Sequence, residues 1–167
     1  MPMDRILIIG LQGAGKSTFA NKLGKKLNRE VIHLDKFYYP NGWVHTETRE
    51  EWRATVTELA NKERWIMDGN YHSTLDIRMP RADVIIFLDF NKLLCLYRIF
   101  KRVAVIKGQP FDKSHGNKEK VTWNLIMKIV KFRKQKTLQK IEMYTDSKKI
   151  YILKNSKEVE YLLNQIS

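Results

Sequence analysis

Cysteine is almost missing from this chain, with Cys95 as its single example among 167 residues. Alone among apolar neighbours, it forms no disulfide within one chain and no thiolate metal site, and it reads as a core residue. Long hydrophobic runs are missing too. Ile6 to Ile9 and Val84 to Leu88 are far short of a membrane span, so no membrane segment is expected and a cytoplasmic location follows. Repeats, low-complexity tracts and linkers are absent. His33, His45, His72 and His115 are scattered without metal-ligand spacing, which argues against a zinc site.

Acidic residues are scarce, 18 against 31 Lys and Arg, for a net charge of +13. The imbalance is concentrated: from Lys92 to Lys140 fourteen Lys and Arg face only Asp112 and Glu119. Such a surface attracts nucleotide phosphates, nucleic acid or acidic lipids without distinguishing among them. At this length, with 43% hydrophobic residues, a single domain over residues 1–167 is expected.

What is present is concentrated at the start. Gly10-Leu11-Gln12-Gly13-Ala14-Gly15-Lys16-Ser17-Thr18 is a complete phosphate-binding loop, lying between an apolar run that reads as a strand and a segment that reads as a helix. Its glycines let consecutive backbone N–H groups point inward and meet phosphate oxygens. Lys16 supplies charge for the outer phosphates, Ser17 can give its hydroxyl to Mg²⁺, and the following helix aims its positive end at the same anion. Gly10, Gln12, Gly13, Ala14, Gly15, Lys16, Ser17 and Thr18 are therefore the expected contacts to ATP.

Arg5 to Ile9 suits a strand buried on both faces, and residues 16–27 carry Phe19, Leu23 and Leu27 at helical spacing. Further strands are expected at Val31–Leu34 ending at Asp35, at Trp65–Met67 ending at Asp68, at Ala82–Asp89 and at Lys149–Leu153. Thr48 and Glu51 form a capping box opening a helix to about Asn61. Helices are also expected over 93–106, over 118–144 as one element, and over 157–165. The alternation predicts an α/β fold, a parallel sheet with helices on both faces and a ligand crevice at the carboxyl ends of the strands. A helical insert about 36–63 lies on the substrate side, and a basic lid region spans about 103–136.

Asp68 stands where a carboxylate holds the magnesium shell, directly or through water. Asp35 is the candidate general base, the alternatives being a helix cap or a second shell ligand, and Phe37 and Tyr38 supply a wall that can stack on a planar substrate. Arg98 and Arg102, four apart on one helix, share a face and can reach a transferring phosphate. Arg78 and Arg81 are placed to contact an acceptor phosphate. In the cationic end of the 118–144 helix, Arg133 is the candidate to close over ATP; burial or a dimer contact suits the helix's apolar part, leaving monomer and homodimer both open.

The Walker loop, Val31-Ile32-His33-Leu34-Asp35 with its aromatic tail, Trp65-Ile66-Met67-Asp68-Gly69-Asn70-Tyr71, Arg78, Arg81-Ala82-Asp83, Phe87-Leu88-Asp89 and Tyr97-Arg98-Ile99-Phe100-Lys101-Arg102 together resemble one group. It is the bacterial DNA topology modulation protein family, within the adenylate-kinase-like P-loop kinases. The resemblance implies a five-stranded parallel sheet of nucleoside-monophosphate-kinase type, with lid-side arginines acting on the phosphates. Asp35-Lys36-Phe37-Tyr38 also resembles uridine-kinase-type segments in which the aspartate faces a substrate hydroxyl. Gly69 and Asn70 join Asp35, Phe37, Tyr38 and Arg78 as expected acceptor contacts. Two departures stand out. Gln109 precedes Pro110 where such proteins commonly carry arginine, and Asn70-Tyr71 replaces the Phe-Pro of the adenylate kinase signature, so AMP specificity is not implied.

The expected activity is Mg-ATP-dependent phosphoryl transfer to a small acceptor, a nucleoside, nucleotide or other hydroxyl compound, with Lys16, Asp35, Arg98 and Arg102 as catalytic groups and Ser17 and Asp68 on Mg²⁺. The alternative is a nucleotide-regulated nucleic-acid-binding protein, using the basic C-terminal half and showing weak ATPase activity.

Overall fold

The computed structural model describes residues 3–40, 47–106 and 123–166. Parts of the expected helical insert and of the expected lid, including Gln109-Pro110, lie outside the described residues. Five strands, β1 Arg5–Gly10, β2 Val31–His33, β3 Trp65–Asp68, β4 Val84–Leu88 and β5 Lys149–Leu153, form one sheet in the order β2-β3-β1-β4-β5, with every pair parallel. β1 is central, and the chain crosses from it first to one edge of the sheet and later to the other. Its carboxyl end is thus a switch point, where loops diverge and leave a crevice.

Alternation within the strands explains why both faces are covered, since successive side chains point to opposite sides. Ile6, Ile8, Val84 and Ile86 meet Phe19 and Leu23 of α1 (Lys16–Leu27), Cys95 and Ile99 of α5 (Lys92–Ile106), and Leu162 of α8 (Ser156–Gln165). Leu7, Ile9, Ile85 and Phe87 meet Trp52 and Val56 of α3 (Arg49–Ala60), Leu75 of α4 (Leu75–Arg81), and Ile141 of α7 (Lys134–Glu142). α3 opens with the expected capping box: Thr48 accepts from the Glu51 N–H at 3.2 Å while the Thr48 N–H donates back to Glu51 Oε2 at 2.7 Å. A cap of this kind contributes about 1 kcal/mol.

Three elements depart from the sequence expectation. The expected helix over 118–144 is two helices, α6 Trp123–Val130 and α7, with 118–122 outside the described residues. They separate at Lys131-Phe132-Arg133, where half-buried Phe132 packs against both hydrophobic clusters and the backbone of Arg133 leaves helical geometry at φ −99°, ψ 89°. Residues after Asp68 turn through a 3-10 segment, His72–Thr74, into α4, which keeps its course despite Pro80. That helix was not anticipated. β2 ends at His33, and Asp35 falls in a five-residue helix, α2 Leu34–Tyr38.

Candidate active site

The phosphate loop follows β1 and turns into α1 through two left-handed glycines, Gly13 at φ +83° and Gly15 at φ +93°. Gly15 is the N-cap of α1 and carries no side-chain cap, and the first turn of α1 holds no acidic residue. The leading N–H groups of α1 are therefore left for an anion. Lys16 folds back over the loop and donates to the Leu11 carbonyl at 3.1 Å. Burial pushes its ammonium below the ordinary lysine range, Asp68 and Asp35 oppose that shift, and Arg102 adds to it. Asp35, Asp68 and Arg102 thus each lie within electrostatic reach of Lys16. Ser17 and Thr18 follow on the first turn of α1. This cradle, with Ser17 and Asp68 as oxygen donors beside a cation, fits a nucleotide triphosphate with Mg²⁺.

Asp68 is the last residue of β3 and is the register partner of both Ile8 in β1 and His33 in β2. It is buried, at 4% exposure. His33, passed over in the sequence because no metal-ligand spacing surrounds it, donates to Asp68 Oδ1 across 2.8 Å. Nothing in the linear sequence signals this pairing, which depends on strand register.

Asp35 is exposed, and its Oδ1 accepts a hydrogen bond from the Tyr71 hydroxyl at 2.5 Å. Burial first, and the Asp35 charge after it, push the Tyr71 phenol well above its ordinary range, so the proton stays on the tyrosine. Tyr38 stands beside this pair, with ring centroids 4.7 Å from Tyr39, 4.8 Å from Trp52 and 4.7 Å from Tyr71. Trp52 closes the group at 5.1 Å from Tyr71. Phe37 is 37% exposed at the outer side of α2. Tyr71 is not among the expected acceptor contacts, although it lies inside the quoted motif; Trp52, at 2% exposure, belongs to the core that backs it.

The arginines divide. Arg78, expected at an acceptor phosphate, is fully buried and donates to the carbonyls of Gly69 at 2.8 Å, Tyr71 at 2.7 Å and Thr74 at 3.4 Å. Burial pushes its guanidinium down to about 9, still cationic at neutral pH. Three of its five N–H donors go to the turn that carries Gly69, Asn70 and Tyr71, so in this structure Arg78 braces that turn from within the core instead of standing at the surface where an acceptor phosphate was expected. Arg81 likewise donates to Asn61 Oδ1 and the Ile77 carbonyl, each at 2.8 Å. Arg98 reaches the Ala14 carbonyl at 3.4 Å and Ser156 Oγ at 3.0 Å, and its guanidinium stands 4.8 Å over the Phe90 ring. It ties the phosphate loop to the start of α8, whereas Arg102, expected to act beside it, is the one that electrostatically reaches Lys16. Arg133 is exposed in the turn before α7, and the neighbouring Lys134 pairs with Asp89 at 2.5 Å. Cys95 is buried, and burial pushes its thiol above the ordinary range. Among the described residues no helix is long and apolar enough to cross a membrane.

No protein-family model and no curated protein matches the chain. Solved structures do. The shikimate kinase of Bacteroides thetaiotaomicron is 19% identical, with 99% of this chain and 97% of that one covered at a TM-score of 0.58. The shikimate kinase of Acinetobacter baumannii in complex with shikimate is 17% identical, with 98% and 90% covered at 0.61. Deoxyadenosine kinase from M. mycoides with bound dCTP is 13% identical, with 96% and 97% covered at 0.50. The chain therefore has the nucleoside-monophosphate-kinase-like P-loop fold that these small-molecule kinases share.

Proposed function

We propose that the protein is a Mg-ATP-dependent phosphotransferase that phosphorylates a hydroxyl of a small ring-bearing acceptor, with a nucleoside as the best-matched class. The observation that carries this reading is the Asp35–Tyr71 pair at 2.5 Å, beside the half-buried rings of Tyr38 and Tyr39, with Asp35 within electrostatic reach of Lys16. A carboxylate beside aromatic faces suits a planar base joined to a sugar hydroxyl. The burial of Arg78 against backbone carbonyls, and the engagement of Arg81 with Asn61 and Ile77, leave fewer of their donors for an acceptor phosphate, which favours a nucleoside over a nucleotide.

In this mechanism the N–H groups of Gly13 and of Gly15 to Thr18 hold the triphosphate while the Ala14 N–H closes the loop on the Leu11 carbonyl, and Ser17 and Asp68 would hold Mg²⁺, which supplies charge neutralisation when bound. Phe37, Tyr38, Gly69 and Asn70 orient the acceptor. Asp35 takes the hydroxyl proton as the acceptor oxygen bonds to the γ-phosphorus and the bond to ADP breaks. Lys16 and Arg102 stabilise charge on the phosphate oxygens, Arg98 keeps the loop in shape, and Arg133 closes from the lid side. Acceptor-stimulated ADP release from Mg-ATP, measured over nucleosides, nucleoside monophosphates and small cyclic alcohols, tests the reading. Stimulation by nucleosides that is lost in Asp35→Asn supports it; a rate independent of every acceptor sinks it. The exposed cations Lys131, Arg133 and Lys136 favour a second reading, nucleic-acid binding of the kind the DNA topology modulation resemblance suggests. A DNA affinity falling steeply with salt and changing with ATP would support that one.

A further inference from the structure

His33 closes β2 directly opposite Asp68, and both side chains are buried, at 6% and 4% exposure. The ring is held at both nitrogens: Nδ1 lies 2.8 Å from Asp68 Oδ1, and Nε2 lies 3.0 Å from Oδ1 of Asn21, which sits on α1 one turn beyond Ser17. An Asp68 carboxylate only accepts, so Nδ1 is the donor. Among the described residues, Asp68 Oδ2 receives no hydrogen bond. Lys16 is close enough for Asp68 to oppose the lowering of its ammonium, so an unrestrained Asp68 would be drawn toward that charge.

We infer that His33, braced by Asn21, is a positioning residue that fixes one oxygen of Asp68 and aims the other at the cation accompanying the nucleotide. The inference rests on the reading of Asp68 as part of that cation's shell. Removing a group that orients a metal-binding carboxylate through a hydrogen bond characteristically weakens the metal site while leaving other contacts in place. A histidine that only filled space would behave differently, because any side chain of suitable size would replace it.

The test is Mn²⁺ titration of the protein with a non-hydrolysable ATP analogue, followed by electron paramagnetic resonance and compared with analogue affinity in the absence of metal. His33→Ala is expected to weaken Mn²⁺ binding about 10- to 100-fold with metal-free nucleotide affinity unchanged. His33→Asn, whose amide nitrogen takes the place of Nδ1, is expected to recover most of that loss. Wild-type Mn²⁺ affinity in His33→Ala overturns the inference, as does an equal loss in His33→Asn. Should His33→Ala fail to fold, Asn21→Ala, at an exposed position of α1, decides: weakened Mn²⁺ binding upholds the inference and wild-type binding overturns it. No acceptor enters this experiment. Intact Mn²⁺ behaviour alongside a failed acceptor assay would remove the kinase reading alone, whereas absence of Mn²⁺ binding in the wild type would overturn this inference.

Discussion

Replacing Gly13 and Gly15 with alanine, one at a time, separates the loop's role in the fold from its role in binding. Both residues are left-handed, at φ +83° and +93°, so either alanine strains the backbone by about 1–2 kcal/mol. Their surroundings differ. A Cβ at Gly13 would lie 2.5 Å from the Cys95 carbonyl oxygen and 3.1 Å from Ile99 Cδ1, whereas one at Gly15 meets nothing within 4 Å. The clash at Gly13 forces the loop away from α5 and adds about 1–3 kcal/mol. In the unfolded chain each alanine restores roughly 0.4–1 kcal/mol. At the midpoints of these ranges the net loss is about 3 kcal/mol for Gly13→Ala and about 1 kcal/mol for Gly15→Ala. For a chain of this size that corresponds to a fall in Tm of roughly 6–12 °C against roughly 2–4 °C. Calorimetry of the two variants, with ATP titrations alongside, is the assay. Gly15→Ala is expected to keep its fold and lose ATP affinity, because the left-handed backbone that turns the loop into α1 is strained by a Cβ while the fold's packing is not. Equal melting temperatures for the two variants would refute the packing argument.

Arg78→Met strands three backbone carbonyls and is expected to cost about 2–4 kcal/mol, with Arg78→Lys failing to restore it because an ammonium cannot span the same acceptors; urea unfolding checks both, and wild-type stability in the methionine variant would contradict the role. His72, exposed at the surface yet partly desolvated, is held below its ordinary value by that desolvation first and by Lys140, Arg78 and Lys136 after it. The unfolded chain therefore takes up a proton that the folded chain resists, and stability falls as pH drops through about 6.5. His72→Asn should flatten that part of the profile in urea melts between about pH 7.5 and 5.5, and an unchanged slope would count against it.

The sheet was legible because its strands are short apolar runs, and the phosphate loop because its residue types fill fixed positions. The capping box at Thr48 and Glu51 was legible for the same reason, since its chemistry is local. What escaped depended on contacts distant in sequence. The break lies at Phe132, whose ring packs against both hydrophobic clusters, while the surrounding pattern of apolar residues is continuous and reads as one helix. Arg78 looks like any arginine available to an anion until the 69–71 turn folds around it. His33 acquires meaning only from its register with Asp68. Tyr71 gained a role through α2, which swings Asp35 into reach of its hydroxyl.

The central claim is transfer of phosphate to a ring-bearing alcohol, and it is tested most directly by locating labelled γ-phosphate after incubation of Mg-ATP with nucleosides, wild-type protein, Lys16→Ala and Asp35→Asn. The account predicts a nucleoside monophosphate as labelled product. Lys16→Ala is expected to lower its formation by about 10²-fold or more, and Asp35→Asn by about 10²–10⁴-fold with ATP binding kept. Label found solely as inorganic phosphate with every acceptor, or a nucleoside product formed at wild-type rate by Asp35→Asn, would contradict it.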